Sequence, residues 1–160
     1  MKQYISFFKL KFAVGLQYKA AALAGLATQI FFGLVFIMVY MAFYGSGSAD
    51  VDISLKEIIA YQWLSQAFLA LIWIWHKDNE ILNMIKNGNV AYELCRPQNI
   101  YWMWFIRILA SKLSAVLLRC VPLLIIAFLL PAPYNLTLPA SLSAFIFFLI
   151  TLIISTILVT

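Results

Sequence analysis

Few residues in this 160-residue chain are of a type that does chemistry. It has one histidine, His76, and two cysteines, Cys95 and Cys120. No phosphate-binding loop of the form G-x-x-x-x-G-K-S/T occurs, and H-E-x-x-H, C-x-x-C and G-x-S-x-G do not occur either. The chain therefore carries no ATP-hydrolysing or metalloprotease signature of its own. His76, beside Lys77, lacks the partner ligands that a metal ion needs, and two cysteines are too few for a disulfide framework or a thiolate metal site. What is left is charge in unusual places. Lys112 and Arg119 stand seven residues apart, on one helical face, inside an otherwise apolar run. In the polar stretch 76–99, Lys86 and Glu93 alternate with Ile81, Leu82, Met84, Ile85 and Leu94, with Arg96 following.

The elements that would position these residues follow from composition. Hydrophobic residues make up 65% of the chain and charged residues 11%, against about 45–50% and about 25% in soluble domains. Seventeen charged side chains cannot clothe a water-soluble fold of this size, which excludes a soluble enzyme, a nucleic-acid module and a disordered tail. The sequence predicts an all-α, polytopic transmembrane bundle. Residues 20–44 form the first span, about 37 Å of helix against a hydrocarbon layer of about 30 Å. Residues 58–75 form a second, at the short end of what can cross. Residues 101–130 form a third, long enough that its beginning must leave the hydrocarbon or lie among headgroups, and Pro131 and Pro133 end it. Residues 140–160 form a fourth. The chain stops there without the polar or basic flank that usually follows a span, so the sequence reads as a C-terminally truncated piece of a longer protein.

Basic residues orient these spans. Lys2, Lys9, Lys11 and Lys19 precede the first span and Lys77, Lys86 and Arg96 lie in the polar loop, whereas Lys56 alone lies between the first two spans. The +5 net charge is thus an orientation signal, with the N-terminus and loop 76–100 in the cytoplasm and Asp50, Asp52 and the turn 131–139 outside. Tyr40, Tyr44, Tyr61 and Trp63 would mark the outer interface, and Trp73, Trp75, Tyr101, Trp102 and Trp104 the inner one. Residues 1–19 mix four lysines with Phe7, Phe8, Leu10 and Phe12, as expected of a helix lying along an anionic membrane surface; a plain cytosolic extension of the first span is the alternative.

Arg119 would sit about 12 Å deep if the last twenty residues of the third helix cross the core. An arginine there costs about 2.5–3.5 kcal/mol on insertion scales, and the apolar runs contain no carboxylate to offset it. Its partner must be lipid phosphate, a backbone carbonyl, another span, a second subunit or an anionic substrate. Pro122, three residues on, removes a backbone donor and frees a carbonyl in the preceding turn. Ala20, Ala21, Ala24, Gly25 and Gly33 allow another helix to approach the first span closely, within one subunit or at a dimer seam.

In the polar loop, Asn87-Gly88 separates two short amphipathic patterns, the second ending at Arg96-Pro97. Such a bihelical knob needs a surface for its apolar residues: its own span ends, the membrane, or a docked protein. The run from Asn83 to Pro97, with the spacing I-x-x-G-x-x-x-x-x-L-x-R-P between a second and a third span, resembles the cytoplasmic loop of permease subunits of type-2 ABC transporters. The opening residues 4–18 are similar to the start of the same group. The resemblance implies a six-span, multi-pass subunit of an exporter in the bacterial inner (cytoplasmic) membrane, of which four spans are present here. It implies no enzymatic activity and no cofactor in this chain, with ATP and Mg held by a separate ABC ATPase subunit. It also implies a second permease subunit, identical or different, besides membrane lipid, and no nucleic acid. On the matching positions it assigns Lys86, Gly88, Tyr92, Glu93, Leu94, Arg96 and Pro97 to a coupling helix seated in the ATPase. Gly88 would let the backbone turn, Leu94 would anchor, and Pro97 would stop the helix. A channel or assembly protein without an ATPase partner is the competing reading.

Overall fold

A computed structural model describes residues 2–46, 52–75, 78–137 and 141–160. His76, Lys77, Asp50 and Pro139 lie outside the described residues. Seven helices follow one another: α1 (Lys2–Leu16), α2 (Lys19–Gly45), α3 (Leu55–Ile72), α4 (Asn79–Lys86), α5 (Val90–Leu94), α6 (Ile100–Leu129) and α7 (Leu142–Val159), with no strand among the described residues. Three of them, α2, α6 and α7, are long and apolar enough to cross a membrane, so the chain is an all-helical membrane protein. α3 is not among these three, because Lys56, Glu57, Gln62 and Gln66 dilute its hydropathy.

Direction is set by a few side-chain meetings. Gln98 Nε2 donates to Gln3 Oε1 at 2.9 Å, a Cβ added to Gly15 would lie 2.8 Å from the Ser114 Cβ, and one on Gly25 would run into the Arg119 guanidinium. Hence α1 and α2 run alongside α6 in the same direction. α3 runs the other way, since Leu71 meets Lys112 while Trp63 meets Tyr134. α1, α4, α5 and the start of α6 therefore gather at one end of the bundle, and the ends of α2 and α6 and the start of α3 gather at the other. α7 packs on α3, with Phe68 and Phe148 at 5.8 Å between ring centroids, and leaves most of its surface open.

Local chemistry explains the helix ends. Ser54 and Glu57 form a reciprocal capping box, which starts α3 at Leu55, three residues before the sequence-based span. Asp78 caps α4 by accepting from the Glu80 and Ile81 amides at 2.9 and 3.2 Å. Asn99 caps α6 in the same manner. Gly88 has φ +72°, a backbone conformation that any Cβ would strain, and it turns the chain between α4 and α5. Pro122 is accommodated inside α6, which continues as one helix to Leu129.

The core lies where α2, α3 and α6 meet, around Ile37, Ile59, Trp63, Leu123 and Ala127. Trp63 is the main departure from the sequence-based placement of the aromatics. Instead of marking an interface it is wholly buried, 0% exposed. Gly33 of α2 makes the room, since a Cβ there would lie 3.0 Å from the indole ring, and the indole Nε1–H donates to the Tyr134 carbonyl oxygen at 2.8 Å. An indole can be buried without penalty because its one donor finds this acceptor. Trp75, 76% exposed, makes the contrasting case. Trp63→Ala is expected to destabilise the bundle by about 3–5 kcal/mol and Trp75→Ala by about 0.5 kcal/mol or less, read as the loss of thermal stability in detergent; equal losses would contradict this core.

Candidate functional site

Two groups of residues stand apart from ordinary helix packing: the α4–α5 loop, and the row of cations on α6 beneath it. The loop is fixed to the bundle by charge. Arg107 of α6 is nearly buried, and its Nε donates to Asp78 Oδ2 at 2.9 Å while its Nη2 contacts the Glu80 carboxylate. Lys11 of α1 reaches the same Glu80 at 3.3 Å. Asp78 is thus used twice, with one oxygen capping α4 and the other holding α6. Burial, reinforced by the neighbouring Arg107 charge and opposed by Asp78, lowers the Lys11 pKa below its ordinary value. The more exposed Lys11–Glu80 pair contributes little. The Arg107–Asp78 pair is where loss of one partner would strand a buried charge.

On that anchored base the loop divides its apolar residues. Ile81 is buried against the bundle, whereas Ile85, Tyr92 and Leu94 face outward, Tyr92 74% and Leu94 66% exposed. Of the residues that the resemblance assigns to the coupling helix, Lys86, Gly88, Tyr92, Leu94, Arg96 and Pro97 are all exposed. Glu93 is half-buried and pairs with Arg96 at 3.2 Å, one helical turn away. Both charges therefore have a local partner. Pro97 lies beyond the end of α5 and before the Asn99 cap, in the connection where the chain changes direction.

Deeper in the bundle, α6 carries the other two sequence-predicted charges. Lys112 is 2% exposed, and its Nζ donates to the Leu71 carbonyl oxygen at 3.2 Å. Leu71 lies in the last turn of α3, where carbonyls lack intrahelical partners and the helix dipole is negative. Lys112 is in effect the C-terminal cap of α3. Arg119 is half-buried with its guanidinium laid over Gly25 of α2, and its Nε has no hydrogen-bond partner among the described residues. Lys112 and Arg119 line one cavity, as their seven-residue spacing predicts, together with Gln29, Thr28 and Trp73.

Sequence reasoning missed the Arg107, Asp78, Glu80 and Lys11 cluster. The available signal was an aspartate at the start of an amphipathic run, with a glutamate two positions on, which marks an N-cap; nothing local connects it to Arg107, 29 residues away. No group of three or more His, Cys, Asp or Glu able to hold a metal occurs among the described residues.

Arg107→Gln is expected to speed backbone hydrogen exchange across α4 by tenfold or more and leave α7 unaffected; unchanged exchange in α4 would show that the ion pair does not hold the loop. Lys112→Met is expected to loosen the last turn of α3, read in the same experiment as faster exchange at residues 69–73. Compared with protein-family models, curated proteins and solved structures, the chain matches none.

Proposed function

We propose that this chain is the membrane-spanning permease subunit of an ATP-driven exporter of the type-2 ABC kind, with the α4–α5 loop as its contact to a separate ATPase subunit. One observation supports the reading above the rest: a short helix pair pinned to the start of α6 by Arg107–Asp78, with Tyr92 and Leu94 left exposed beside Lys86 and Arg96. Exposed apolar residues on a knob anchored at the start of α4 favour a protein groove over solvent. Closing of the groove on ATP binding would move the knob, and Asp78 would pass that displacement to α6 through Arg107. A ligand or partner shifts a conformational equilibrium only by contacts that differ between its states, and this loop is the part of the chain built to make them.

In this reading α3 is a fourth span, tolerated despite Gln62 and Gln66 because both are buried inside the bundle, in a subunit for which the resemblance implies six. The basic N-terminus and loop support a cytoplasmic position for that end, and the resemblance implies a bacterial inner membrane. Two permease subunits work with two ATPase subunits, which hold the ATP and Mg, and lipid surrounds the bundle. The chain itself is not an enzyme and binds no cofactor or nucleic acid.

The test is association. In a strain expressing the tagged chain, an ATPase subunit should co-purify, and Tyr92→Ala with Leu94→Ala should reduce its recovery at least tenfold while the thermal stability of the chain changes by less than about 1 kcal/mol, as expected for exposed positions. Glu93→Gln and Arg96→Gln should each have a smaller effect, because the two charges already pair with one another. Unchanged recovery in the Tyr92 and Leu94 double variant would remove the loop from the interface. The absence of any ATPase would favour a channel or assembly protein.

A further inference from the structure

The cavity between α2, α3 and α6 is about 400 Å³ and lies in the body of the bundle. Its charged lining is cationic, with Thr28, Gln29 and Ser111 as neutral polar neighbours. Lys112 and Arg119 both face it, and no carboxylate is among its lining residues. Lys112 donates to the Leu71 carbonyl, one of the three donors an ammonium offers. Among the described residues the buried Arg119 Nε has no hydrogen-bond partner; neither has the side-chain oxygen of Gln29, 4% exposed, but that oxygen is an acceptor and suits a donor, not an anion. Buried polar groups are nearly always satisfied, so a guanidinium left with an unpaired donor next to an open volume is short of an acceptor. The remaining wall is apolar, made by Leu69, Ala70 and Ala115, with half-exposed Trp73 on the α3 side.

Two cations without a counter-ion in a cavity between largely apolar helices attract an anion, and an apolar wall beside them selects one that carries hydrocarbon. We infer that this cavity binds the phosphate group of an amphiphile, held by Arg119 with Lys112 as the second cation. A guanidinium with free N–H groups suits phosphate oxygens in geometry as well as in charge. Gly25 completes the site, because its missing Cβ is what allows the guanidinium to lie flat against α2; a side chain there would run into Arg119 Cζ, Nη1 and Nε. A membrane phospholipid and a diffusible or transported amphiphile offer the same phosphate chemistry. The inference concerns ligand binding by the chain alone and does not depend on an ATPase partner.

Native mass spectrometry of the full chain in a neutral detergent, titrated separately with dodecyl phosphate and with phosphatidylglycerol, tests it. A saturable one-to-one adduct per chain is expected with at least one of the two; an adduct with phosphatidylglycerol alone identifies a lipid site, and one with dodecyl phosphate identifies a site open to small amphiphiles. Arg119→Gln should weaken the adduct at least tenfold, and Arg119→Lys, which keeps the charge, should weaken it less. Gly25→Ala should weaken it without removing any charge, which keeps the test decisive if Arg119→Gln does not fold. No saturable adduct with either probe, or equal affinity in wild type, Arg119→Gln and Gly25→Ala, overturns the inference.

Discussion

The structure depends on how one long apolar helix accommodates three cations. α6 must pack against α2 and α3 while carrying Arg107, Lys112 and Arg119, each of which loses hydration on burial. The three are dealt with differently. Arg107, near the loop end, receives carboxylates from Asp78 and Glu80. Lys112, a little deeper, receives the Leu71 carbonyl at the frayed end of α3. Arg119, deepest of the three along the helix, receives neither and rests on the backbone of α2 at Gly25. Compensation thus declines along α6 from a full ion pair, to a dipole, to a cavity with its donors open.

That gradient links fold to function. Where the cation is fully paired, it ties the loop to the bundle, because Asp78 caps α4 with one oxygen and accepts from Arg107 of α6 with the other; in the proposed exporter this tie would carry the motion of the loop. Where the cation is left open, it would serve the inferred ligand, as an attraction for anions in a low-dielectric setting where charge is felt strongly. The loop on the first and the cavity on the second are connected by twelve residues of continuous helix, about 18 Å at the helical rise. A displacement of the loop would reach the cavity by rigid transmission along α6.

How much of this was legible beforehand follows from what each feature depends on. The helical runs at 20–44, 101–130 and 140–160 were readable because hydropathy and helix length are local properties, and the structure has helices there. The turn at Gly88 was readable for the same reason, since Asn-Gly is a stop signal and φ is positive there. The shared face of Lys112 and Arg119 came from spacing alone. Trp63 was misplaced because its position near a span end follows the usual aromatic belt, while its burial depends on Gly33, a residue on another helix. The early start of α3 was written in Ser54 and Glu57 but concealed by the charge of Lys56 and Glu57, which read as the edge of a span. The Arg107–Asp78 pair joins residues that no pattern connects, and three-dimensional packing alone brings them together.

If the α4–α5 knob is the seat of an ATPase, it lies on the cytoplasmic side. The chain's own cysteines give the direct measurement, because Cys95 at the end of α5 is exposed and Cys120 within α6 is buried. A membrane-impermeant maleimide should label Cys95 in inside-out vesicles and leave it unlabelled in right-side-out vesicles, with Cys120 unreactive in both. Labelling of Cys95 from the outer face would place the knob where no ATPase can reach it and would rule out the proposed coupling.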